Sequence, residues 1–242
     1  MSSTADEVPE RREARLQARL SEASSHDDDE PLYAMPHELS VALDESQSPI
    51  LRWSSSSSPG PRDMLRTWVG SAESCGMKAT QEDRHAVVQL PEGSYVAVFD
   101  GHNGPRAAEY GKRMLHRHLG ANPDHAAWTR AFEACDKELL TSGIVDGSTA
   151  LAALVTGSAV TVANCGDSRA VLGSARKAVR LTQDHKPDVA GEKARIEAAG
   201  GTVAFRGVWR LAVQESPVML AVSRALGDRQ LKTLKAPRNQ VL

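Results

Sequence analysis

"TALAALVTGSAVTVANCGDSRAVLG", residues 149–173, decides the fold class. Apolar runs at 149–155 and 159–165 are separated by little more than Gly157-Ser158, and Cys165-Gly166-Asp167-Ser168 leads into a third run in the same way. A connection this short cannot carry the crossover that parallel strands require, so the spacing predicts antiparallel neighbours joined by hairpins. Further short runs fit strands bounded by turn residues: "TWVGSAES" (67–74), "RHAVVQL" (84–90), "YVAVFD" (95–100) and "VMLAVS" (218–223). Helical spacing occupies about 105–118, 126–140 and 189–199, the last stopped by Gly200-Gly201. The helices do not alternate one for one with strands, which argues against a parallel βαβ sheet. The expectation is an α+β fold with antiparallel sheets covered by helices.

Composition narrows the function. Apolar residues make up 40% of the 242, and the formal net charge is −2. No basic stripe interleaved with aromatics is present, so neither nucleic acid nor an acidic membrane surface is expected as a partner. The three cysteines, Cys75, Cys135 and Cys165, are widely spaced without a C-x-x-C pair, which excludes a thiolate zinc site and a disulfide framework. The N-terminus lacks the apolar core of a signal peptide, and no run of about 18 apolar residues exists. A cytoplasmic or nuclear location is expected.

Residues 1–65 differ from the rest. "SSHDDDEP" and "RWSSSSSPGPRD" are polar and low in complexity, a composition that favours disorder over a packed core. A short exposed helix is expected within residues 10–21, and Ser54–Ser58 with Pro59-Gly60-Pro61 reads as a linker. A single domain is expected over 66–242.

Acidic residues recur where the predicted strands end. Glu82-Asp83 precede one strand, Asp100 follows another, and Asp146, Asp167 and Asp184 sit at further turns. Each alone is readable as a turn former bonding its own backbone. Gathered at one end of a sheet they would repel, and oxygen-only donors of this kind suit Mg²⁺ or Mn²⁺. Gly101, lacking a side chain, would let its carbonyl approach such a cation.

The ordered blocks "QEDRHAV", "VAVFDGHNG", "DGSTALAALV", "VANCGDSRAVL", "LTQDHKPD", "EKARIEAAGGTV" and "LAVSRALGD" run from about Trp68 to Asp228. Together they resemble the metal-dependent protein phosphatases of type 2C. The resemblance implies two antiparallel β-sheets packed as a sandwich flanked by helices, with two metal ions at one edge. It implies that Glu82, Asp83, Asp100 and the Gly101 carbonyl hold Mg²⁺ or Mn²⁺, directly or through water. A water activated there would hydrolyse phosphoserine or phosphothreonine in protein substrates, with His102 as general acid to the leaving oxygen. On this reading the protein is monomeric, and neither nucleic acid nor membrane takes part.

Three departures qualify the resemblance. Lys78 stands where the family commonly has an arginine, giving a point charge for phosphate in place of a fork. Asn103 replaces a commoner glycine, a milder change because Asn tolerates left-handed backbone. The family's two further aspartate blocks, after the "LGD" turn, have no counterpart before Leu242. The sandwich is therefore expected to lack its last strands, as a fragment of a longer product would. The alternative expectation is a catalytically silent, truncated module that binds phosphoproteins or a regulatory partner. Asp228 reads as part of a turn, and Asp167 and Arg169 as ties of a tight hairpin.

Overall fold

The computed structural model describes residues 67–232 except 158, 175, 176 and 215, together with the backbone of Leu51 and Arg52. Those two residues form β1, inside the stretch that composition alone assigns to a tail. The helix expected within residues 10–21 and the serine-rich linker lie outside the described residues.

The largest sheet has five antiparallel strands in the order β1-β7-β6-β3-β2. Its members are β2 (Arg84–Leu90), β3 (Gly93–Phe99), β6 (Ala150–Val155) and β7 (Val160–Cys165), with β1 pairing along β7. The predicted hairpin is present, with Val155 opposite Val160 and Ala150 opposite Cys165. Three small sheets surround it. One joins β4 (Gly101–His102), β5 (Gly147–Ser148) and β13 (Leu226–Gly227). Another pairs β8 (Val171–Ser174) with β9 (Lys177–Arg180). The last contains β10 (Thr202–Arg206), β11 (Val208–Ala212) and β12 (Met219–Leu220).

Three helices match the expected spans. They are α1 (Arg106–Met114), continued by a 3₁₀ turn at Leu115–His118, α2 (His125–Thr141) and α3 (Ala190–Ala198). Asp124 caps α2 by accepting from the Ala127 N–H at 2.7 Å. Trp128, Ala131, Phe132, Cys135 and Leu139 recur at helical spacing on its buried face. They meet the inward residues of the sheet, among them Tyr95, Ala97, Phe99, Ala152 and Leu154, in one apolar core. Burying side chains such as Trp128 and Phe99 contributes on the order of 2–3 kcal/mol each. Gly111 of α1 lies against Phe99, where an added Cβ would stand 2.8 Å from the ring. The opposite face of the sheet is an open apolar groove bordered by Trp68, Val69, Val87 and Val98.

Three local expectations differ from the structure, the first being the run 218–223, of which only Met219–Leu220 forms a strand. Residues 67–74 are irregular and line that groove instead of forming a strand. The run after Cys165 does not fold back on β7, since β8 pairs with β9. Gly166 directs the chain away. The returning segment claims its backbone, with the Gly166 N–H donating to His185 Nδ1 at 3.0 Å and its carbonyl accepting from the His185 N–H at 3.0 Å. Arg169 consequently pairs with Asp184 at 2.6 Å, and Asp167 with Lys186, so neither ties the expected hairpin.

Candidate functional site

The β2–β3 register sets Arg84 opposite Phe99, so Asp83 and Asp100 leave the sheet side by side at the same end. The Asp100 backbone is fully engaged by the start of β6. Its N–H donates to Thr149 Oγ1 at 3.0 Å, and its carbonyl accepts from the Thr149 N–H at 2.9 Å. Thr149 also bonds Ser168 at 2.9 Å, bringing Asp167 to the same end. Asp100 is exposed, with its carboxyl directed among acids. Partial desolvation, then the charges of Asp83 and Asp167, hold it above the usual carboxylate range.

Glu82 is held differently. Its Oε1 accepts from the Gly104 N–H at 2.8 Å, and its Oε2 pairs with Lys78 at 3.2 Å. Lys78 is exposed and carries a raised pKa because of Glu82. Gly101 is buried, and a Cβ there would fall onto the Glu82 carbonyl, so the close packing of two backbones requires the glycine. Asn103 takes the left-handed backbone expected of it, with φ at 59°.

His102, between Gly101 and Asn103, is half-buried, with Nε2 3.0 and 2.8 Å from the two carboxylate oxygens of Asp228. Burial alone would lower its pKa. The hydrogen bond and charge of Asp228, with Asp100 and Glu82 behind, raise it instead. Asp146 is buried and already neutralised. Its oxygens accept from the Arg106 N–H at 2.9 Å and from the Arg106 guanidinium at 2.7 and 3.2 Å. Arg106 and Asp228 are the two participants that sequence reasoning missed.

The structure therefore brings Lys78, Glu82, Asp83, Asp100, Gly101 and His102 to one end of the main sheet, joined by Asp167. Asp184 is drawn off into its arginine pairs. Among the described residues no three His, Cys, Asp or Glu side chains form a ready-made metal cage. The donor set nonetheless fits a hard cation. Asp83 and Asp100 are adjacent oxygen donors without an ion-pair partner among the described residues, and a divalent ion would relieve their repulsion.

The protein phosphatase 2C family model matches residues 68–241. The chain belongs to the protein phosphatase 2C family. This is a metal-dependent family whose activity is the dephosphorylation of protein serine and threonine. Probable protein phosphatase 2C 69 of Arabidopsis thaliana is 40% identical over 207 residues, which is 80% of this chain and 57% of that protein. Probable protein phosphatase 2C member 13, mitochondrial, of Oryza sativa subsp. japonica is 42% identical over 170 residues, covering 65% and 46%. The chain thus spans about half the length of these curated relatives. Among solved structures, a phosphatase from a pathogenic strain of Toxoplasma gondii matches with a TM-score of 0.57 at 28% identity, over 64% of this chain and 62% of that one. A serine-threonine phosphatase 2C from the same organism shares the fold, with a TM-score of 0.55 at 22% identity over 76% and 69%. The expected α+β architecture of antiparallel sheets and flanking helices agrees with these neighbours.

Proposed function

We propose that the protein is a Mg²⁺- or Mn²⁺-dependent protein serine/threonine phosphatase. The observation that carries this reading is the side-by-side exit of Asp83 and Asp100 from β2 and β3, with no cation paired to either among the described residues. In this role Asp83 and Asp100 bind the metal, and Glu82 assists from the adjoining position, directly or through water. The Gly101 carbonyl follows directly after Asp100, on the short strand β4 that it shares with His102. The metal, when bound, supplies the charge that lowers the pKa of a water and offsets that of the phosphate. Lys78, on the exposed rim, attracts the phosphate dianion as a point charge. His102 delivers a proton to the departing serine or threonine oxygen, which would otherwise leave as a poor alkoxide.

The direct test is Mn²⁺-dependent release of phosphate from a phosphothreonine peptide by this protein, beside Asp100→Asn. The expected loss in the variant is at least about 100-fold, the scale of removing a central charge-stabilising group. The pairing of Lys78 with Glu82 favours a second reading, a silent module that retains phosphoprotein binding. Absence of release by both proteins would favour that module.

A further inference from the structure

We propose that Asp228 is the positioning residue for His102: it fixes which ring nitrogen faces inward and leaves Nδ1 as the nitrogen that serves the leaving group. This rests on the reading of His102 as general acid, and it gives a function to a residue whose sequence context says only "turn".

Both Asp228 oxygens lie within hydrogen-bond distance of the same nitrogen, His102 Nε2, and the Asp228 side chain is only 3% exposed. A buried carboxylate facing an imidazole nitrogen accepts its N–H, so the neutral ring is held as the Nε2–H tautomer. The backbone is arranged to make this contact. Asp228 adopts φ of 51°, a left-handed conformation that Asp tolerates better than most residues do. Its N–H donates to the Asp146 carbonyl at 3.2 Å. The preceding Gly227 N–H donates to Asp136 on α2 at 2.8 Å, and Lys232 closes on the same carboxylate. Gly147, opposite Gly227 in the register, supplies the independent observation. A Cβ on Gly147 would fall directly onto His102 Nε2 and Asp228 Oδ2. The glycine leaves open the very space in which the two side chains meet.

The consequence for the reaction is a definite proton path. To donate, the ring must enter the step with both nitrogens protonated. As the water oxygen bonds to phosphorus and gives up a proton to solvent, the P–O bond to the leaving group breaks, and its electron pair goes to the serine or threonine oxygen, which takes the proton from Nδ1. The neutral ring keeps its Nε2–H on Asp228 and regains a proton at Nδ1 from solvent.

The test has two arms. In long-range ¹H–¹⁵N spectra of the labelled full chain, the neutral His102 ring should carry a slowly exchanging proton on Nε2. That proton should be lost in Asp228→Asn and in Gly147→Ala. A wild-type ring protonated on Nδ1, or averaging freely between tautomers, overturns the proposal whether or not the variants fold and whether or not the protein is active. In kinetics, both variants should slow hydrolysis of a phosphothreonine peptide by about 10²-fold, within the usual range for general acid catalysis. Their effect on p-nitrophenyl phosphate, whose leaving group departs as a stable anion, should be at least about tenfold smaller, because that step draws little on a general acid. Equal losses on the two substrates would make Asp228 merely structural. Inactivity of the wild type on both would count against the phosphatase reading and leave the tautomer result to decide this one.

Discussion

Asp100 and Asp184 are both carboxylates beyond the ends of β-strands, yet their surroundings drive them in opposite directions. Asp184 accepts from Arg169 at 2.6–3.1 Å and pairs with Arg180, and these arginines hold its carboxyl below the usual range. Asp100 has Asp83 and Asp167 for neighbours and is held above it. Glu192 follows Asp184. Burial alone would raise its pKa, but hydrogen bonds from Arg224 and Arg195 bring it down to about 2. A carboxylate provided with its own arginine is architecture. A pair of carboxylates left without such a partner is what the proposed cation would neutralise.

Acidification should separate the two kinds most strongly. Glu192 is depressed in the folded state, so its contribution is complete above its ordinary value of 4.5 and is lost as pH falls towards 2. The shift corresponds to about 3 kcal/mol. Buried His185, lowered to about 4 chiefly by desolvation, acts in the same sense as pH falls from 6.5, because the unfolded chain takes up the proton first. Asp100 acts oppositely, since protonation relieves its repulsion. Urea midpoints should therefore fall between pH 7 and pH 4, and Glu192→Gln should flatten the loss below 4.5. Rising stability over the first interval would break the contrast.

Paired substitutions give the next effect. Asp184→Asn should cost about 1–2 kcal/mol, allowing for the solvent-exposed heads of Arg169 and Arg180, while Mn²⁺ still raises the melting temperature. Asp100→Asn should melt no lower than wild type and lose the Mn²⁺ shift. Thermal melts with and without the metal read both, and identical behaviour of the two variants would erase the distinction. The smallest effect concerns the rim. Lys78→Arg should lower KM for a phosphothreonine peptide about threefold, as a fork replaces a point charge. An unchanged KM would mean that position 78 serves Glu82 alone.

Much of this was legible in the residues because the signals were local. Gly157 lies in the loop between two apolar runs, and helical spacing marked α1, α2 and α3. Asp83 and Asp100 flank one hairpin, so a strand reading already implied that they meet. Contacts set by distant parts of the chain were not legible. The course of the chain after Gly166 depends on His185, 19 residues on. Asp228 meets His102 across 126 residues, and nothing in the spacing of either predicts it. The only trace was the pair of glycines at 147 and 227, whose bareness makes sense once they lie opposite each other. Arg106 was invisible for the same reason, being 40 residues from Asp146.

The bare position at Gly111 has a consequence for how this sequence can vary. The ring of Phe99 stands where a methyl group would go, and Phe99 immediately precedes Asp100. Helix and strand therefore touch without slack. A side chain at 111 would have to displace the buried Phe99 ring, the residue next to Asp100, so a position that handles no phosphate is coupled by packing to the acidic pair.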